Sequence, residues 1–348
     1  MPKPRQAVLR MAPYSPPSSD RAGKLRLDFN ENTVGASPRV VEAITRYLTA
    51  SALTVYPEYR ETKPVLASFF GVSQDEFTLT NGTDEAIQVL VNTYVDDNDA
   101  VIILHPSYAM YKFYSEVAGA KVVELSYRLP DLAFPLEELL AAITPVTRAI
   151  LISNPNNPTG TGIGIAEIER ILAAAPDAAV LIDEAYFEFC KVTALPLLAK
   201  YPNLFVSRTF SKVYGMAALR VGCLFSQREN VAYLHKAQSP YSVNMLAAVA
   251  VKAAVEDHET VSNYVEQVLA ARESCYHGLT RLGVPYFKSQ ANFVLFRVGP
   301  RSTEIWDRLR ECGVLVRDRS YEIEGCVRVT IGTPAQVDRF LTELEALL

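Results

Sequence analysis

The sequence predicts an α/β fold with a mostly parallel, seven-stranded sheet between layers of helices, followed by a smaller C-terminal α/β domain. Apolar, strand-like runs alternate with helical segments between residues 76 and 225, a pattern typical of parallel sheets with helical crossovers. After residue 242 this alternation gives way to a long helical stretch and a second, shorter set of strands. With 348 residues, 49% of them apolar, the chain can bury a core of this size.

The chain divides into three predicted segments. Residues 1–24 are rich in proline, serine and basic residues without periodicity, which indicates an N-terminal arm that packs on something else. Residues 25–241 form the predicted large domain, and residues 242–348 form the small domain.

Each element of the large domain is assigned from periodicity and from helix-start signals. Ser37 followed by Pro38 predicts a helix with serine at the N-cap and proline at the first helical position. Helices are also predicted at 84–94, 106–118, 135–142 and 166–174. The seven predicted strands are 76–80, 100–104, 121–125, 148–153, 178–183, 204–209 and 219–225.

The predicted small domain begins with one long helical stretch at 245–282. A strand at 292–297 and a helix at 303–312 follow. Two strands near 314–317 and 326–330 precede a closing helix at 334–347.

Composition excludes several classes of function. The formal net charge is −5 and the basic residues are dispersed, which argues against nucleic acid or an anionic membrane as a partner. The five cysteines have no C-x-x-C spacing and the four histidines are scattered, so neither a disulfide framework nor a metal site is predicted. The apolar runs are shorter than the roughly 20 residues that a membrane span needs. We therefore expect a cytoplasmic protein that acts on small molecules.

Polar residues with distinct chemistry follow three predicted strands. Asp183 ends the apolar run 178–183, and Asn157 lies in a proline-rich loop after the strand that ends at residue 153. Lys212 follows the strand 204–209. An acid, an amide and an amine at neighbouring strand ends suit pyridoxal 5'-phosphate, which needs a lysine for its aldehyde and an acid for its ring nitrogen.

The motifs carrying these residues resemble those of the fold-type I aminotransferases and, among them, the histidinol-phosphate aminotransferases. The matching motifs are Ser-Asn-Pro-Asn-Asn-Pro-Thr-Gly at 153–160, Asp-Glu-Ala-Tyr at 183–186, and Ser-Lys at 211–212 with Arg220. The resemblance runs from about Tyr14 to the C-terminus. It implies a homodimeric fold-type I transferase that transaminates between L-histidinol phosphate and 2-oxoglutarate in histidine biosynthesis.

The resemblance also implies how residues would hold the ring of the cofactor. Lys212 would bind the aldehyde and then transfer the proton. Asp183 would pair with the ring nitrogen, while Asn157 and Tyr186 would bind the phenolate oxygen. Tyr108 corresponds to the aromatic residue that stacks on the ring.

A second set of residues would bind the cofactor phosphate. Arg220 can grip two oxygens at once, with the hydroxyls of Thr209 and Ser211 as further donors. The segment Gly82-Thr83-Asp84 opens a helix, whose free N–H groups and dipole attract anions. It matches the phosphate loop of the resembled family.

The remaining predicted site residues concern the dimer and the substrate. Tyr56 matches the tyrosine that the family sends across the dimer interface to the neighbouring phosphate. Arg328 matches the arginine that binds an α-carboxylate. Arg317 and Tyr14 match the pair that histidinol-phosphate enzymes use for the substrate phosphate.

Four other functions share part of this pattern. An aromatic amino-acid aminotransferase or a threonine-phosphate decarboxylase would share most of these motifs. The glycines at 160, 162 and 164 suggest a dinucleotide fingerprint, but the third falls one position early. A ligand-sensing regulator would need an added DNA-binding module, for which residues 1–24 are too short.

Overall fold

The computed structural model describes residues 2–11 and 21–348, and its elements follow the predicted alternation. The strands of this part of the chain are β1 (Leu25–Arg26), β2 (Phe77–Thr80), β3 (Ala100–His105), β4 (Lys121–Ser126), β5 (Thr147–Ser153), β6 (Ala179–Asp183), β7 (Leu204–Thr209), β8 (Gly222–Phe225), β9 (Tyr286–Phe287), β10 (Phe293–Arg297), β11 (Val314–Leu315), β12 (Arg317–Asp318) and β13 (Cys326–Thr330). Its α-helices are α1 (Gln6–Arg10), α2 (Pro38–Tyr47), α3 (Thr62–Phe70), α4 (Gly82–Tyr94), α5 (Ala109–Ala118), α6 (Leu136–Ala142), α7 (Ile165–Ala174), α8 (Phe187–Cys190), α9 (Arg228–Ala237), α10 (Met245–Glu256), α11 (His258–Arg281), α12 (Ser302–Glu311) and α13 (Pro334–Glu345).

The large sheet has the strand order β2-β8-β7-β6-β5-β3-β4. The five strands β7, β6, β5, β3 and β4 are parallel to one another. In contrast, β8 runs antiparallel to both of its neighbours, β7 and β2. The predicted mostly parallel sheet of seven strands is therefore confirmed.

Helices cover both faces of this sheet, which explains why its central strands are apolar at successive positions. Along β3, Ile102 and Leu104 belong to one hydrophobic core, whereas Val101 and Ile103 belong to the core on the opposite face. Successive side chains of a strand point to opposite faces, so a strand buried on both sides must be apolar throughout.

A second sheet has the order β12-β13-β10-β9 and lies in the C-terminal part of the chain. Near it, β1 pairs in parallel with β11, and Thr330 of β13 donates its backbone N–H to Leu27 O at 2.8 Å. The segment after β1 is therefore anchored to the C-terminal sheet. The boundary between domains at residues 241 and 242 stays a prediction.

Two expectations about the C-terminal part were wrong. The helical stretch 245–282 is two helices, because Asp257 caps the second one and accepts the backbone N–H of Thr260 at 3.3 Å. The same carboxylate accepts a hydrogen bond from Ser37, the N-cap of α2. The strand expected near 314–317 is split between β11 and β12, which belong to different sheets.

The strand predicted from residue 219 begins only at Gly222, and this difference matters for the site. Residues Ala217–Leu219 form a 3₁₀ turn, and Arg220 adopts a left-handed φ of 55°. The 3₁₀ turn and Arg220 therefore both precede β8. Because Arg220 is not part of the strand, its guanidinium can turn toward Asp84 of α4.

Neither a membrane helix nor a metal cluster stands out in the described ranges. None of their helices is long and apolar enough to cross a membrane. No group of three or more His, Cys, Asp or Glu side chains there is arranged to hold a metal ion.

Candidate active site

A cavity of about 740 Å³ lies beyond the carboxyl ends of β5, β6 and β7. The last residues of β5 and β6 are in register, since Ser153 pairs with Asp183, which also pairs with Ser207 two residues before the end of β7. Open parallel sheets bind ligands at this edge. The cavity brings together most predicted site residues, namely Thr83, Asp84, Tyr108, Asn157, Asp183, Tyr186, Thr209, Ser211, Lys212, Arg220, Arg317 and Arg328.

Lys212 lies in the cavity wall three residues after β7. Its Nζ donates a hydrogen bond to Phe29 O at 3.0 Å and lies 5.9 Å from the ring centroid of Tyr186. Burial, followed by the nearby charge of Arg328, lowers the pKa of Lys212 to about 8. Roughly a tenth of this amine is therefore neutral at pH 7, in the form that acts as a nucleophile or general base.

Asp183, at the end of β6, is 3% exposed and accepts two hydroxyl hydrogen bonds. Tyr111 donates to its Oδ2 at 2.8 Å, and Ser207 donates to its Oδ1 at 2.8 Å. Burial raises the pKa of Asp183, while the two hydroxyl donors oppose that rise. The donors fix the carboxylate in one orientation at the cavity wall.

Arg220 and the N-terminus of α4 form one end of the cavity. The guanidinium donates to Asp84 Oδ2 at 3.1 Å and to Ser211 Oγ at 3.5 Å. Gly82 has a φ of +72°, and a Cβ placed on it would lie 2.4 Å from Arg220 Nη2. Only glycine lets the guanidinium lie this close to the backbone at the start of the helix.

Tyr108 is tied to the same end of the cavity. Its hydroxyl donates to Asp84 Oδ1 at 2.6 Å, and its ring packs edge-on against Tyr111 with 5.7 Å between centroids. Burial and the charge of Asp84 raise the pKa of Tyr108 above its ordinary value. The ring therefore stays neutral and is held rigidly against the cavity.

Arg328 marks the opposite end of the cavity. It is 4% exposed, and its Nη2 donates to Asp28 O at 2.5 Å. Its Nη1 donates to Asn157 Oδ1. Arg317 faces the same end because β12 and β13 place it directly opposite Arg328. Two guanidiniums from neighbouring strands can bind oxygens of one anion.

Tyr186 lies between the two ends. Asn30 Nδ2 donates to the hydroxyl of Tyr186 at 3.0 Å, and the tyrosine ring packs edge-on against Phe293 at 5.2 Å. The N-terminal segment at residues 28–31 thus contacts residues from both sheets.

Two predicted residues, Gly82 and Tyr56, do not line the cavity, and a third is not among the described residues. Gly82 lies behind Arg220, as described above. Tyr56 is 73% exposed and stacks on Tyr241 with 4.7 Å between ring centroids. Tyr14 lies outside the described residues.

Two residues that hold the Asp183 carboxylate were missed by the sequence reasoning, although each carried a usable signal. Tyr111 is three residues after Tyr108 on one helix face, and Ser207 shares its strand face with Thr209. Cavity residues from distant parts of the chain were missed as well, among them Phe29, Asn30, Glu31, Arg319, Tyr321 and Glu322. The first three lie in the motif Leu-Asp-Phe-Asn-Glu-Asn at 27–32, which belongs to the family resemblance, but nothing local to the motif assigned them a role.

Comparisons with known proteins identify the family of this chain. The family model "aminotransferase class I and II" matches residues 22–344. The histidinol-phosphate aminotransferase of Symbiobacterium thermophilum is 38% identical over 358 residues, covering 99% of this chain and 98% of the relative.

Two solved structures share the fold at lower identity. The histidinol-phosphate aminotransferase from Sinorhizobium meliloti, in complex with pyridoxal-5'-phosphate, has a TM-score of 0.83 at 23% identity and covers 93% of this chain and 91% of its own. The L-threonine-O-3-phosphate decarboxylase from Porphyromonas gingivalis has a TM-score of 0.80 at 23% identity and covers 92% and 98%. Both likenesses establish the fold alone. With the family match spanning nearly its whole length, the chain belongs to the aminotransferase class I and II family.

Proposed function

We propose that the chain is a pyridoxal-phosphate-dependent aminotransferase that acts on L-histidinol phosphate and 2-oxoglutarate in histidine biosynthesis. The products are imidazole acetol phosphate and L-glutamate. One observation carries the proposal: a single cavity joins a buried lysine amine of lowered pKa to two separate anion-binding ends. The name of the 38% identical relative supports the choice of substrate.

The residues present fit pyridoxal phosphate. Arg220 lies against Gly82 at the N-terminus of α4, so a guanidinium and the positive end of a helix dipole lie side by side, and both favour a phosphate. Asp183 is a buried carboxylate with both oxygens oriented by hydroxyl donors, which suits a protonated ring nitrogen. Lys212 lies in the same cavity.

The roles of the side chains follow from these positions. When bound, pyridoxal phosphate supplies an aldehyde that exchanges amino groups and a ring that draws electrons from the substrate Cα. Lys212 Nζ, neutral in part, would accept the proton released at the substrate Cα and hold it for return to the carbon of the cofactor's former aldehyde. Asp183 would place a negative charge beside the ring nitrogen. Arg328 and Arg317 orient the substrate by its anionic group.

Both substrates must use this one cavity in turn. Histidinol phosphate offers a phosphate, whereas 2-oxoglutarate offers two carboxylates. Arg328 and Arg317 lie on neighbouring strands at one end, and guanidiniums bind either kind of oxyanion in the same planar, bidentate manner. We propose that they serve the phosphate in one half-reaction and carboxylates in the other.

The substrate choice has a direct test, since the related fold also supports other reactions. Purified protein loaded with pyridoxal phosphate is mixed separately with histidinol phosphate, phenylalanine or threonine phosphate, and its visible spectrum is followed. We expect histidinol phosphate to convert the cofactor to its amine form at least about tenfold faster than phenylalanine. Faster conversion with phenylalanine would favour an aromatic aminotransferase, and carbon dioxide release from threonine phosphate would favour a decarboxylase.

We further propose a homodimer in which Tyr56 reaches the phosphate end of the partner's cavity. Tyr56 and Tyr241 form a stacked aromatic pair at the surface, and Leu53 and Val55 beside it are 65% and 62% exposed. Exposed apolar groups of this kind mark interaction surfaces. The five free cysteines are compatible with the reducing cytoplasm as the compartment.

The dimer is tested by measuring mass in solution together with cofactor affinity. We expect twice the 38.5 kDa chain mass. Tyr56→Phe should leave that mass unchanged and weaken pyridoxal phosphate binding by about tenfold, the value of one hydrogen bond to a charged group. A monomeric wild type, or unchanged cofactor affinity in Tyr56→Phe, would contradict this role.

A further inference from the structure

A third arginine lies at the substrate end of the cavity beside Arg317 and Arg328. Arg319 is 7% exposed and lines the cavity. Its backbone continues the turn after β12, where its N–H donates to Cys326 O at 3.0 Å. The strand pairing that aligns Arg317 with Arg328 therefore also fixes the position of Arg319.

Arg319 is held in place by its own turn. Its Nη2 lies 2.5 Å from Glu322 Oε2, with only 9% and 14% of the two side chains exposed. Its Nη1 donates to the hydroxyl of Tyr321 at 3.1 Å. Its Nε is buried and has no hydrogen-bond acceptor among the described residues. The guanidinium thus keeps unused donor capacity in a place where charge is poorly solvated.

The charges at this end of the cavity do not balance. Arg317, Arg319 and Arg328 supply three positive charges and Glu322 one negative charge, while Arg21 is shared between Glu31 and Asp28 and leaves that cluster with one more negative charge. Burial, followed by repulsion from Arg319, lowers the pKa of Arg328, which shows how closely the arginines interact. An excess of about one positive charge remains, and it attracts a phosphate monoester, which carries about −1.5 to −2, more strongly than a carboxylate, which carries −1.

We propose that Arg319 determines substrate specificity by adding the charge that favours a phosphate monoester, with Glu322 holding it back in the free enzyme. This inference rests on the proposed function, because it concerns the same cavity and its substrate. The Glu322 carboxylate competes with the substrate for Arg319. Glu322 thereby lowers the affinity of the cavity for every anion. A dianion, which interacts more strongly with the arginines than a monoanion does, still binds the more tightly of the two.

A purely structural role and a charge-based role for Arg319 and Glu322 predict different results. If Arg319 and Glu322 only stabilised the turn, removing either partner would loosen the site and weaken anion binding. If they act by charge, Arg319→Gln weakens binding of a phosphate whereas Glu322→Gln strengthens it. The opposite signs separate the two roles.

The experiment uses holoenzyme with inorganic phosphate as the probe, measured by titration calorimetry, so that catalysis is not required. We expect Arg319→Gln to raise the dissociation constant of phosphate by about tenfold, and Glu322→Gln to lower it by about threefold. Arg301→Gln is the matched control, since that arginine pairs with Glu304 on an exposed surface of the same part of the chain. The control variant should leave the dissociation constant of phosphate unchanged.

Kinetics provide the second readout. In Arg319→Gln, the ratio of kcat/KM for histidinol phosphate to kcat/KM for phenylalanine should fall by about tenfold or more. Equal weakening of phosphate binding in both variants, or no change in either, would overturn the proposal. If wild-type protein does not turn over histidinol phosphate, the proposed substrate is wrong, while the phosphate titrations still decide the role of Arg319.

Discussion

Replacing Lys212 with alanine is expected to slow the conversion of the cofactor by histidinol phosphate by at least about 10³-fold, the scale of general acid–base catalysis. The change removes the only amine of the described cavity residues. It therefore removes both the group that binds the aldehyde and the group that carries the proton. The measurement is single-turnover spectroscopy of the amine half-reaction.

Two controls make this prediction specific. Lys200→Ala removes an exposed lysine that pairs with Glu169 and should leave the rate unchanged. In the wild type, the lowered pKa of Lys212 of about 8 makes its neutral fraction rise from roughly a tenth at pH 7 to roughly nine tenths at pH 9. Loading of the cofactor-free protein should accelerate by about the same factor. Retention of the full rate in Lys212→Ala would contradict the assignment.

Replacing Asp183 with asparagine should lower kcat by about 10² to 10³-fold, the loss found when one preorganised electrostatic partner is removed from a reacting site. Asparagine keeps the size of the side chain, and its Oδ1 can still accept one of the two hydroxyls of Tyr111 and Ser207, while its Nδ2 can donate to the oxygen of the other. The negative charge opposite the ring nitrogen is lost. The measurement is steady-state kinetics with saturating cofactor.

A graded control distinguishes loss of this charge from damage to the fold. Tyr111→Phe removes one of the two donors to Asp183 and keeps the buried ring. This variant should lower kcat by only about tenfold, which is the effect of losing one hydrogen bond to a charged group. A larger loss in Tyr111→Phe than in Asp183→Asn would mean that the hydroxyl network, rather than the carboxylate charge, sustains the reaction.

The sheet could be predicted because its evidence is local. Each central strand is an apolar run between turn signals, and helical periodicity fills the gaps. The errors lie where contacts distant in sequence decide the structure. Asp257 ends the long helical stretch because it caps α11 and also accepts Ser37. Arg220 leaves the extended conformation where its guanidinium meets Asp84.

The residues of the candidate site also fall into two groups, those with a local sequence motif and those placed by contacts distant in sequence. Motifs at strand ends identified Lys212 and Asp183, because parallel strands bring those ends together. The segment after β1 could not be placed, since it reaches the cavity only through pairing with β11 and β13. Arg319 was missed for a related reason: its burial depends on Glu322, and a charged residue in a loop normally indicates solvent exposure.

The most direct test of the central claim is to locate the covalent attachment of pyridoxal phosphate. Protein loaded with the cofactor is treated with borohydride, digested, and mapped by mass spectrometry, with Lys212→Ala treated in parallel. The account predicts one modified peptide, which contains Lys212 and is absent from the variant. Modification at another lysine, or none at all after loading, would contradict it.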